Sequence, residues 1–424
     1  MTCDRTFIVR SLAMASAAVV LTTGCSTSGS RNSSGSNGSA AGSSANPGAA
    51  AASCDVNQKS PGITGSEISL GATMPLSGSG AAGGVGVRDG EQAYYDMVNK
   101  QGGIQGHKIK FTALDDQYSP AVAQKQMREL VQQDNVFAIS GGEGTPNFLG
   151  VVPYLNREKV PAVAPYAPSS ALGNIQAPHV YMATVDYVKE FQILTQFVLD
   201  KDKATPPKKF SLVGVAGNVG DNAKEGMDKA LAGKGVPVRY FPETPGTSDL
   251  TPLATQLKQE NADWVFLIIT NTDTGQLIQA MNRIGYTPKF ITWAGMADDA
   301  YIKEFGPISQ GLYMALETAD LHSKNAKVQE FVQQFTTATG KAPSKFDELG
   351  WSQAQLTAEG LRRAKALTRS CLEASLQGIS NLDTGLIPPL TWGPDKRAGV
   401  DAVGIGQIAG DKLKVISETR SVTP

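Results

Sequence analysis

Residues 67 to 116 restrict the fold most strongly, because they predict a strand, a helix and a second strand in direct succession. The apolar run from Ile68 to Met74 has the length of a strand, and apolar residues then recur at helical spacing. Gly102 and Gly103 follow, and they predict the end of the helix, because glycine readily adopts the left-handed conformation that ends many helices. The run from His107 to Leu114 indicates the second strand. This order is a βαβ unit, which predicts a parallel sheet with helices on its faces.

A loop rich in Ser, Gly and Ala is predicted from Ser77 to Gly86, between the first strand and the helix. Ligands of such sheets lie beyond the carboxyl ends of the strands, where this loop falls. Gly84, Gly86 and Gly90 resemble a dinucleotide-binding fingerprint, but the third glycine comes one position late and the loop is too long for the tight turn. Two interpretations stay open. The glycines either serve only the turn or let backbone N–H groups approach a ligand at the start of the helix.

Residues 1 to 24 are typical of a secretory signal peptide. Their apolar core, Ser11 to Leu21, is too short to span a membrane. The small residues before Cys25 resemble a lipoprotein processing site, which predicts lipidation of Cys25; the alternative is a plain cleaved signal. A tether is predicted up to residue 61, because residues 26 to 53 are almost all Ser, Gly, Ala and Asn. We therefore expect an extracytoplasmic protein, lipid-anchored to the outer face of the cell membrane or periplasmic.

The sequence contains four cysteines. Cys3 leaves with the signal peptide and Cys25 is the predicted lipid site. Cys54 and Cys371 remain as an even pair in an oxidising compartment, which favours a disulfide between them. The alternative is two separate buried thiols. No His stands near either cysteine at ligand spacing, so we expect no metal site there.

Charge and motif content argue against several classes of function. The formal net charge is −1 and no basic run is present, which argues against nucleic-acid binding. The three His residues fall in no catalytic motif, and the sequence has no phosphate-binding loop. Asp115 and Asp116 could hold a metal or act as an acid–base pair, or they could cap the end of the second strand. We expect neither enzyme activity nor a cofactor.

Further strand-end loops of small residues occur at Ser140 to Asn147 and at Ala164 to Ser170. The aromatic residues Phe148, Tyr166 and Trp293 stand at strand ends or early in helices. These positions are compatible with core packing and equally with covering an apolar ligand. A partial internal repeat further along the chain suggests two similar α/β halves.

The segment GATMPLSGSGAAGG, continuing through YYDMVNKQGGIQGHKIKFTALDDQYSP, resembles the first unit of the leucine/isoleucine/valine-binding family of bacterial solute-binding proteins. The resemblance continues in order to PPLTWGPDKRAGVDAVGIGQI near the end of the chain. It implies the periplasmic-binding-protein type I fold, in which two lobes, each a mostly parallel sheet flanked by helices, enclose a ligand cleft. It also implies the lobe boundaries, with the first lobe at 62–185 and 316–397 and the second lobe at 186–315 and 398–424.

The resemblance predicts ligand-binding residues on segments that follow strands or open helices. They are Gly142, Glu143, Gly144, Thr145, Tyr166, Ala167, Ser169, Asp186, Thr270, Asn271, Trp293 and Ala294. In the family, the segments matching Gly142 to Thr145 and Tyr166 to Ser169 hold the carboxylate of the ligand. Asp186 matches an acid near the hinge. Thr270 and Asn271 match a loop where relatives present a Tyr.

Two positions depart from the family pattern. The acid that binds the α-amino group in amino-acid binders falls on Ala294, and Val219 stands where many relatives carry a Tyr. Burying an ammonium group without a carboxylate would be costly. Either Glu143, Asp347 or Glu348 supplies the charge, or the ligand lacks an ammonium group, as aromatic or aliphatic acids and amides do.

The resemblance implies a monomeric solute-binding protein that captures a small amino-acid-like, carboxylate or amide solute by lobe closure. Its partners would be that solute, the transmembrane permease subunits of an ABC importer and, through the lipid, the membrane. The alternative is a sensor that uses the same cleft to signal to a membrane partner.

Overall fold

Two β-sheets organise the computed structural model, which describes residues 51–173 and 176–423. The first sheet has the strand order β2-β1-β3-β4-β5 and is parallel throughout. Its strands are β1 (Glu67–Met74), β2 (Lys108–Asp115), β3 (Ala138–Ser140), β4 (Ala162–Val163) and β5 (Val180–Tyr181). The βαβ unit predicted from the sequence forms its first two strands and the helix between them.

The second sheet has seven strands. They are β6 (Phe210–Val215), β7 (Val238–Glu243), β8 (Trp264–Ile268), β9 (Lys289–Thr292), β10 (Tyr313–Leu316), β11 (Ala402–Ala409) and β12 (Lys412–Ser421). Their order is β12-β11-β10-β9-β8-β6-β7, with β6 to β10 parallel. The tail adds β11 and β12 antiparallel at one edge, where its apolar and small residues alternate. The mixed α/β class is thus confirmed.

Helices connect the strands and cover the sheets. They are α1 (Ala81–Lys100), α2 (Pro120–Gln132), α3 (Thr145–Glu158), α4 (Tyr187–Lys201), α5 (Asn218–Leu231), α6 (Thr251–Glu260), α7 (Asn271–Arg283), α8 (Asp299–Phe305), α9 (Ala326–Thr339), α10 (Lys345–Arg363) and α11 (Arg369–Gln377). Short 3₁₀ turns lie at Gly78–Gly80, Ala294–Met296 and Gly306–Ile308. Within the described ranges, no helix has the length and apolar character needed to cross a membrane.

The glycine-rich segment before Tyr94 is helical, so the predicted loop is too long. The loop between β1 and α1 ends at Gly80, and α1 begins at Ala81. Gly90 packs against the backbone of α10, where an added Cβ would lie 2.0 Å from the carbonyl oxygen of Asp347. On the α10 side of the same contact, a Cβ on Gly350 would lie 2.0 Å from the carbonyl oxygen of Val87 in α1. At these two positions glycine allows close contact between two helices, which neither interpretation from the sequence anticipated.

Cys54 and Cys371 form a disulfide, as predicted, across a sequence separation of 317 residues. Hydrogen bonds join the same two segments. The Ser370 Oγ accepts the Asp55 N–H at 3.1 Å, and the Ser60 Oγ accepts the Arg369 N–H at 3.0 Å. The described N-terminal segment is therefore held against the start of α11 both covalently and by hydrogen bonds. Cys25, the predicted lipid site, lies outside the described residues.

Candidate functional site

The loops that follow β3 and β4 lie side by side, as the sequence predicted. The Tyr166 N–H donates to the Gly142 carbonyl at 2.9 Å, and the Gly144 N–H donates to the Tyr166 carbonyl at 3.2 Å. Gly142 and Gly144 have φ values of 97° and 114°, which side chains with a Cβ rarely adopt. These contacts bring Glu143 and Thr145 next to Tyr166 at the carboxyl edge of the first sheet.

Several backbone N–H groups of these loops already have acceptors within the chain, contrary to the expectation that they are free for a carboxylate. Besides the two N–H groups above, the Ala167 N–H donates to the Pro165 carbonyl at 3.0 Å. The Ser169 N–H donates to the Ala167 carbonyl at 2.6 Å. Ala167 and Ser169 are completely buried. Their segment is therefore organised mainly by its own turns.

Glu143 places a carboxyl group at this edge of the sheet. Its Oε2 is inaccessible to solvent and has no hydrogen-bond partner in the described structure. Burial, with a smaller contribution from the nearby Asp116 carboxylate, raises the pKa of Glu143 to about 8. This chain therefore carries a carboxyl group of its own on a loop that the resemblance assigned to the carboxylate of the ligand. At neutral pH this raised pKa keeps the carboxyl group protonated, so Glu143 can donate a hydrogen bond as well as accept one.

Asp115 and Asp116 serve the turn after β2. The Asp115 Oδ1 accepts the N–H groups of Leu76 and Gln117, both at 2.9 Å, and the Asp116 Oδ1 accepts the Tyr118 N–H at 3.0 Å. This pattern is the strand-end cap left open by the sequence. No group of three or more His, Cys, Asp and Glu residues that could hold a metal occurs in the part of the chain the structure describes.

Asp186 caps the start of α4, where its Oδ1 accepts the Lys189 N–H at 3.0 Å. Such a cap satisfies one of the free N–H groups at the start of a helix. One turn later, Glu190 is only 3% exposed, and its Oε1 accepts the Ala294 N–H at 2.7 Å. The sequence prediction named Asp186 and missed Glu190, although Glu190 is the acid that reaches Ala294.

Tyr166, Glu190, Ala294, Glu317 and Lys345 form one buried group, here called the glutamate–lysine cluster. The Tyr166 hydroxyl donates to the Glu317 Oε1 at 2.5 Å, and the Lys345 Nζ lies 3.5 Å from the same oxygen. The Lys345 Nζ also donates to the Ala294 carbonyl. The cluster draws on a loop of the first sheet, the ends of β9 and β10 in the second sheet, and the first residues of α4 and α10. It therefore joins the two halves of the fold.

Burial and the neighbouring Glu317 carboxylate raise the pKa of Glu190 to about 8. The Ala294 N–H and the Lys345 ammonium group oppose this rise only in part. Burial and the Glu317 carboxylate likewise raise the pKa of the Tyr166 hydroxyl well above its ordinary value, so this group acts as a donor. The cluster thus holds two glutamates beside a single lysine.

Aromatic rings border the cluster. The Tyr187 and Trp293 rings meet edge to face with centroids 6.1 Å apart, and the Tyr187 hydroxyl lies 3.2 Å from the Thr145 Oγ1. The Trp293 Nε1 donates to the Ile269 carbonyl at 3.1 Å. Phe148, in contrast, belongs to the apolar core of the first sheet. Trp293 remains a candidate for covering a ligand, whereas Phe148 is a core residue.

The remaining predicted positions have local structural roles. Thr270 caps α7: its Oγ1 accepts the Asp273 N–H at 3.2 Å and donates to the Asp273 Oδ2 at 2.7 Å. Asn271 is the first residue of that helix. Asp347, one of the alternative acids, forms a capping box with Ser344 at the start of α10. These contacts do not connect Thr270, Asn271 or Asp347 with the glutamate–lysine cluster.

Known proteins resemble this chain over most of its length. A leucine/isoleucine/valine-binding protein homologue of Brucella melitensis is 23% identical over 299 residues, which are 70% of this chain and 79% of that protein. A fatty acid ABC transporter substrate-binding protein from Thermomonospora curvata has a TM-score of 0.77 at 21% identity, covering 86% of this chain and 95% of that one. A branched-chain amino acid ABC transporter protein from Thermus thermophilus with bound valine has a TM-score of 0.77 at 16% identity, with 85% and 97% covered.

The two solved structures confirm the predicted two-lobed type I fold. The family model described as "Periplasmic binding protein" matches residues 67–412. Together with the Brucella relative, this match confirms the resemblance predicted from the sequence, and the chain therefore belongs to the periplasmic binding protein family.

Proposed function

We propose that this protein captures a small solute between its two lobes by lobe closure and delivers it to the permease of an ABC importer. Members of its family are extracytoplasmic solute-binding proteins and not enzymes. The observation that carries the proposal is the glutamate–lysine cluster, because its members come from both sheets and from helices on either side. A solute bound there would hold the two halves together.

The solute we propose is amino-acid-like, or an amide or carboxylate with an apolar body. Relatives with this fold include a fatty-acid protein and a protein with bound valine. Glu143 lies on a loop that the resemblance assigned to the ligand carboxylate, and its protonated carboxyl group can exchange hydrogen bonds with a carboxylate or an amide. Trp293 and Tyr187 offer aromatic surface for the apolar part.

The predicted lobe boundaries, lipidation of Cys25 and the monomeric state belong to the same proposal. In this arrangement α4 opens the second lobe at residue 186, and the chain returns to the first lobe after β10. The packing of α10 against α1 supports the return. A lipid at Cys25 would keep the loaded protein near its permease.

Native mass spectrometry of the purified protein, followed by calorimetry against amino acids, aromatic acids and amides, tests the proposal. We expect a bound small molecule or micromolar binding of at least one compound. Tyr166→Ala should weaken that binding by about 1–3 kcal/mol if the ring contacts the solute. Tyr154→Ala is the matched control, because Tyr154 is a core residue on α3 of the first sheet. Failure to find any bound or binding compound would contradict the proposed function.

A further inference from the structure

We infer that this protein has a second ligand site, in a cavity between α8, the start of α10 and the turn that joins β11 to β12. The ligand it fits is a small neutral molecule with a primary amide on an apolar body. The cavity, here called the α8–α10 cavity, has a volume of about 1020 Å³, which is enough for a drug-sized molecule. Within the described structure, none of the residues that the resemblance assigns to the solute lines it. The inference therefore goes beyond the proposed function.

The walls of the α8–α10 cavity are largely apolar and firmly held. Ile302 of α8, Leu321 after β10 and Leu413 of β12 line it. Gln310 fixes the turn that precedes Leu413, because its Nε2 donates to the Gly410 carbonyl at 2.8 Å and its Oε1 accepts the Gly410 N–H at 2.9 Å. Walls of this kind suit the apolar body of a ligand.

Glu348 supplies the polar end of the α8–α10 cavity. It lines the cavity from the first turn of α10, and its side chain is completely buried. Neither of its carboxyl oxygens has a hydrogen-bond partner in the described structure. Buried polar groups are normally satisfied, and an unsatisfied one lowers stability. A ligand that reaches Glu348 would supply the missing hydrogen bonds.

The protonation state of Glu348 determines which chemical group fits it. Burial raises the pKa of Glu348 well above its ordinary value, and this favours the protonated carboxyl group at neutral pH. The nearby Thr318 hydroxyl and Lys345 ammonium group oppose this rise only in part, and the Asp320 carboxylate adds to it. A protonated carboxyl group presents an O–H donor beside a carbonyl acceptor. A primary amide presents the complementary pair, an N–H donor beside a carbonyl acceptor, so the two groups can form two parallel hydrogen bonds.

The charged side chains around the α8–α10 cavity argue against an ion as its ligand. Lysines and aspartates line it in equal number, so their formal charges cancel; they are Lys303, Lys345, Lys412, Asp299, Asp320 and Asp411. Lys345, the lysine closest in sequence to Glu348, is already engaged, because its Nζ lies 3.5 Å from the Glu317 Oε1 and donates to the Ala294 carbonyl. An ammonium group would have to ionise Glu348, and a carboxylate would bring an unbalanced charge to a buried group. An amide does neither.

Three probes with the same apolar body separate the chemical classes. They are 4-methylpentanamide, its N,N-dimethyl derivative, which has no N–H donor, and 4-methylpentanoic acid, which is ionised at pH 7. Calorimetry of the full-length protein at pH 7 measures their binding. We expect 4-methylpentanamide to bind about tenfold more tightly than either of the other two, because it alone can form both hydrogen bonds with Glu348.

Two substitutions of Glu348 test its role. Glu348→Leu should weaken binding of 4-methylpentanamide by about tenfold or more, because both hydrogen bonds are lost. Glu348→Gln should bind the amide nearly as tightly as the parent protein, since a Gln side chain also offers an N–H donor and a carbonyl acceptor. Glu243→Leu is the matched control, because Glu243 on β7 is another buried glutamate whose carboxyl oxygens have no hydrogen-bond partner in the described structure, and it lies outside this cavity.

Leu321→Trp gives a second test that leaves Glu348 in place. The larger ring would occupy the α8–α10 cavity, so amide binding should be lost even if Glu348→Leu does not fold. The inference is overturned if no probe binds, if the acid binds as tightly as the amide, or if both cavity variants bind the amide as the parent protein does. Amide binding that is lost in Tyr166→Ala and kept in both cavity variants would place the amide at the glutamate–lysine cluster. That result would overturn the second site and leave the proposed function standing, which fails only if the broader screen is negative.

Discussion

The contact between α1 and α10 makes Gly90→Ala the most informative change to the fold. A carbon normally approaches a carbonyl oxygen no closer than about 3.3 Å. The added Cβ would start at 2.0 Å from the Asp347 carbonyl oxygen and at 2.7 Å from the Trp351 nitrogen. Both obstacles are backbone atoms, so no side-chain rotation can relieve them. The two helices must separate by about 1.3 Å, the difference between 3.3 Å and 2.0 Å.

This separation sets the expected size of the effect. Overpacking of this kind costs about 1–3 kcal/mol, and we expect the upper end because backbone must move. Alanine recovers about 1 kcal/mol relative to glycine within a helix. We therefore expect Gly90→Ala to lower the free energy of unfolding by about 2 kcal/mol. Solute binding should weaken as well, because Lys345 is the first residue of α10.

Gly83→Ala is the control in the same helix. Its Cβ would lie 3.4 Å from the Phe346 ring, an ordinary contact, so we expect unchanged stability or a gain of up to about 1 kcal/mol. Urea unfolding followed by tryptophan fluorescence measures both variants against the parent protein. The reasoning is refuted if Gly90→Ala is as stable as Gly83→Ala, because the helices would then have room to spare.

Three further predictions concern the disulfide, the anchor and pH. The denatured protein should show no free thiol from Cys54 or Cys371 until it is reduced, and reduction should lower stability by about 2–4 kcal/mol; two thiols titrated before reduction would contradict the bond. Cys25→Ser should move the protein from the membrane fraction to the soluble fraction without changing solute affinity, and a variant that stays with membranes would rule out the lipid. Burial raises the pKa values of Glu143 and Glu190 from 4.5 to about 8, so their contribution to stability is complete below pH 4.5 and is lost as the pH rises through 8. Unfolding measured from pH 5 to pH 8 should show this decline, and Glu143→Gln should make it shallower; an unchanged slope would show that Glu143 does not titrate in this range.

The sequence predicted the alternation of strands and helices because local patterns determine it. The run from Ile68 to Met74 became β1, which extends by one residue to Glu67. Ser119 and Pro120 open α2 as the cap and first residue of the helix. The glycines of α1 were misread because the same residue type serves a turn and a close helix contact. Only the partner, Gly350, distinguishes the two roles, and it lies far along the chain.

The candidate site was predicted only in part, again because residues that meet in the fold lie far apart in the sequence. The loops at Gly142 to Thr145 and at Tyr166 do meet, since parallel strands end at a common edge. Glu190, Glu317 and Lys345 were missed because the fold brings together three elements that are distant in sequence. The sequence carries no clear signal for Glu190, because an acid in the first turn of a helix is common.

The bond between Cys54 and Cys371 also determines where mechanical force enters the molecule. Tension applied to the chain before Cys54 can follow two covalent paths from this residue. One path runs along the main chain to β1, and the other runs through the disulfide to α11. In the reduced protein only hydrogen bonds would join this segment to α11, and once they break the tension would act on β1, a strand hydrogen-bonded on both sides within the first sheet. Extraction of β1 would then dismantle that sheet from its interior. With the bond intact, α11 shares a pull from the N-terminal side, so β1 carries only part of the load.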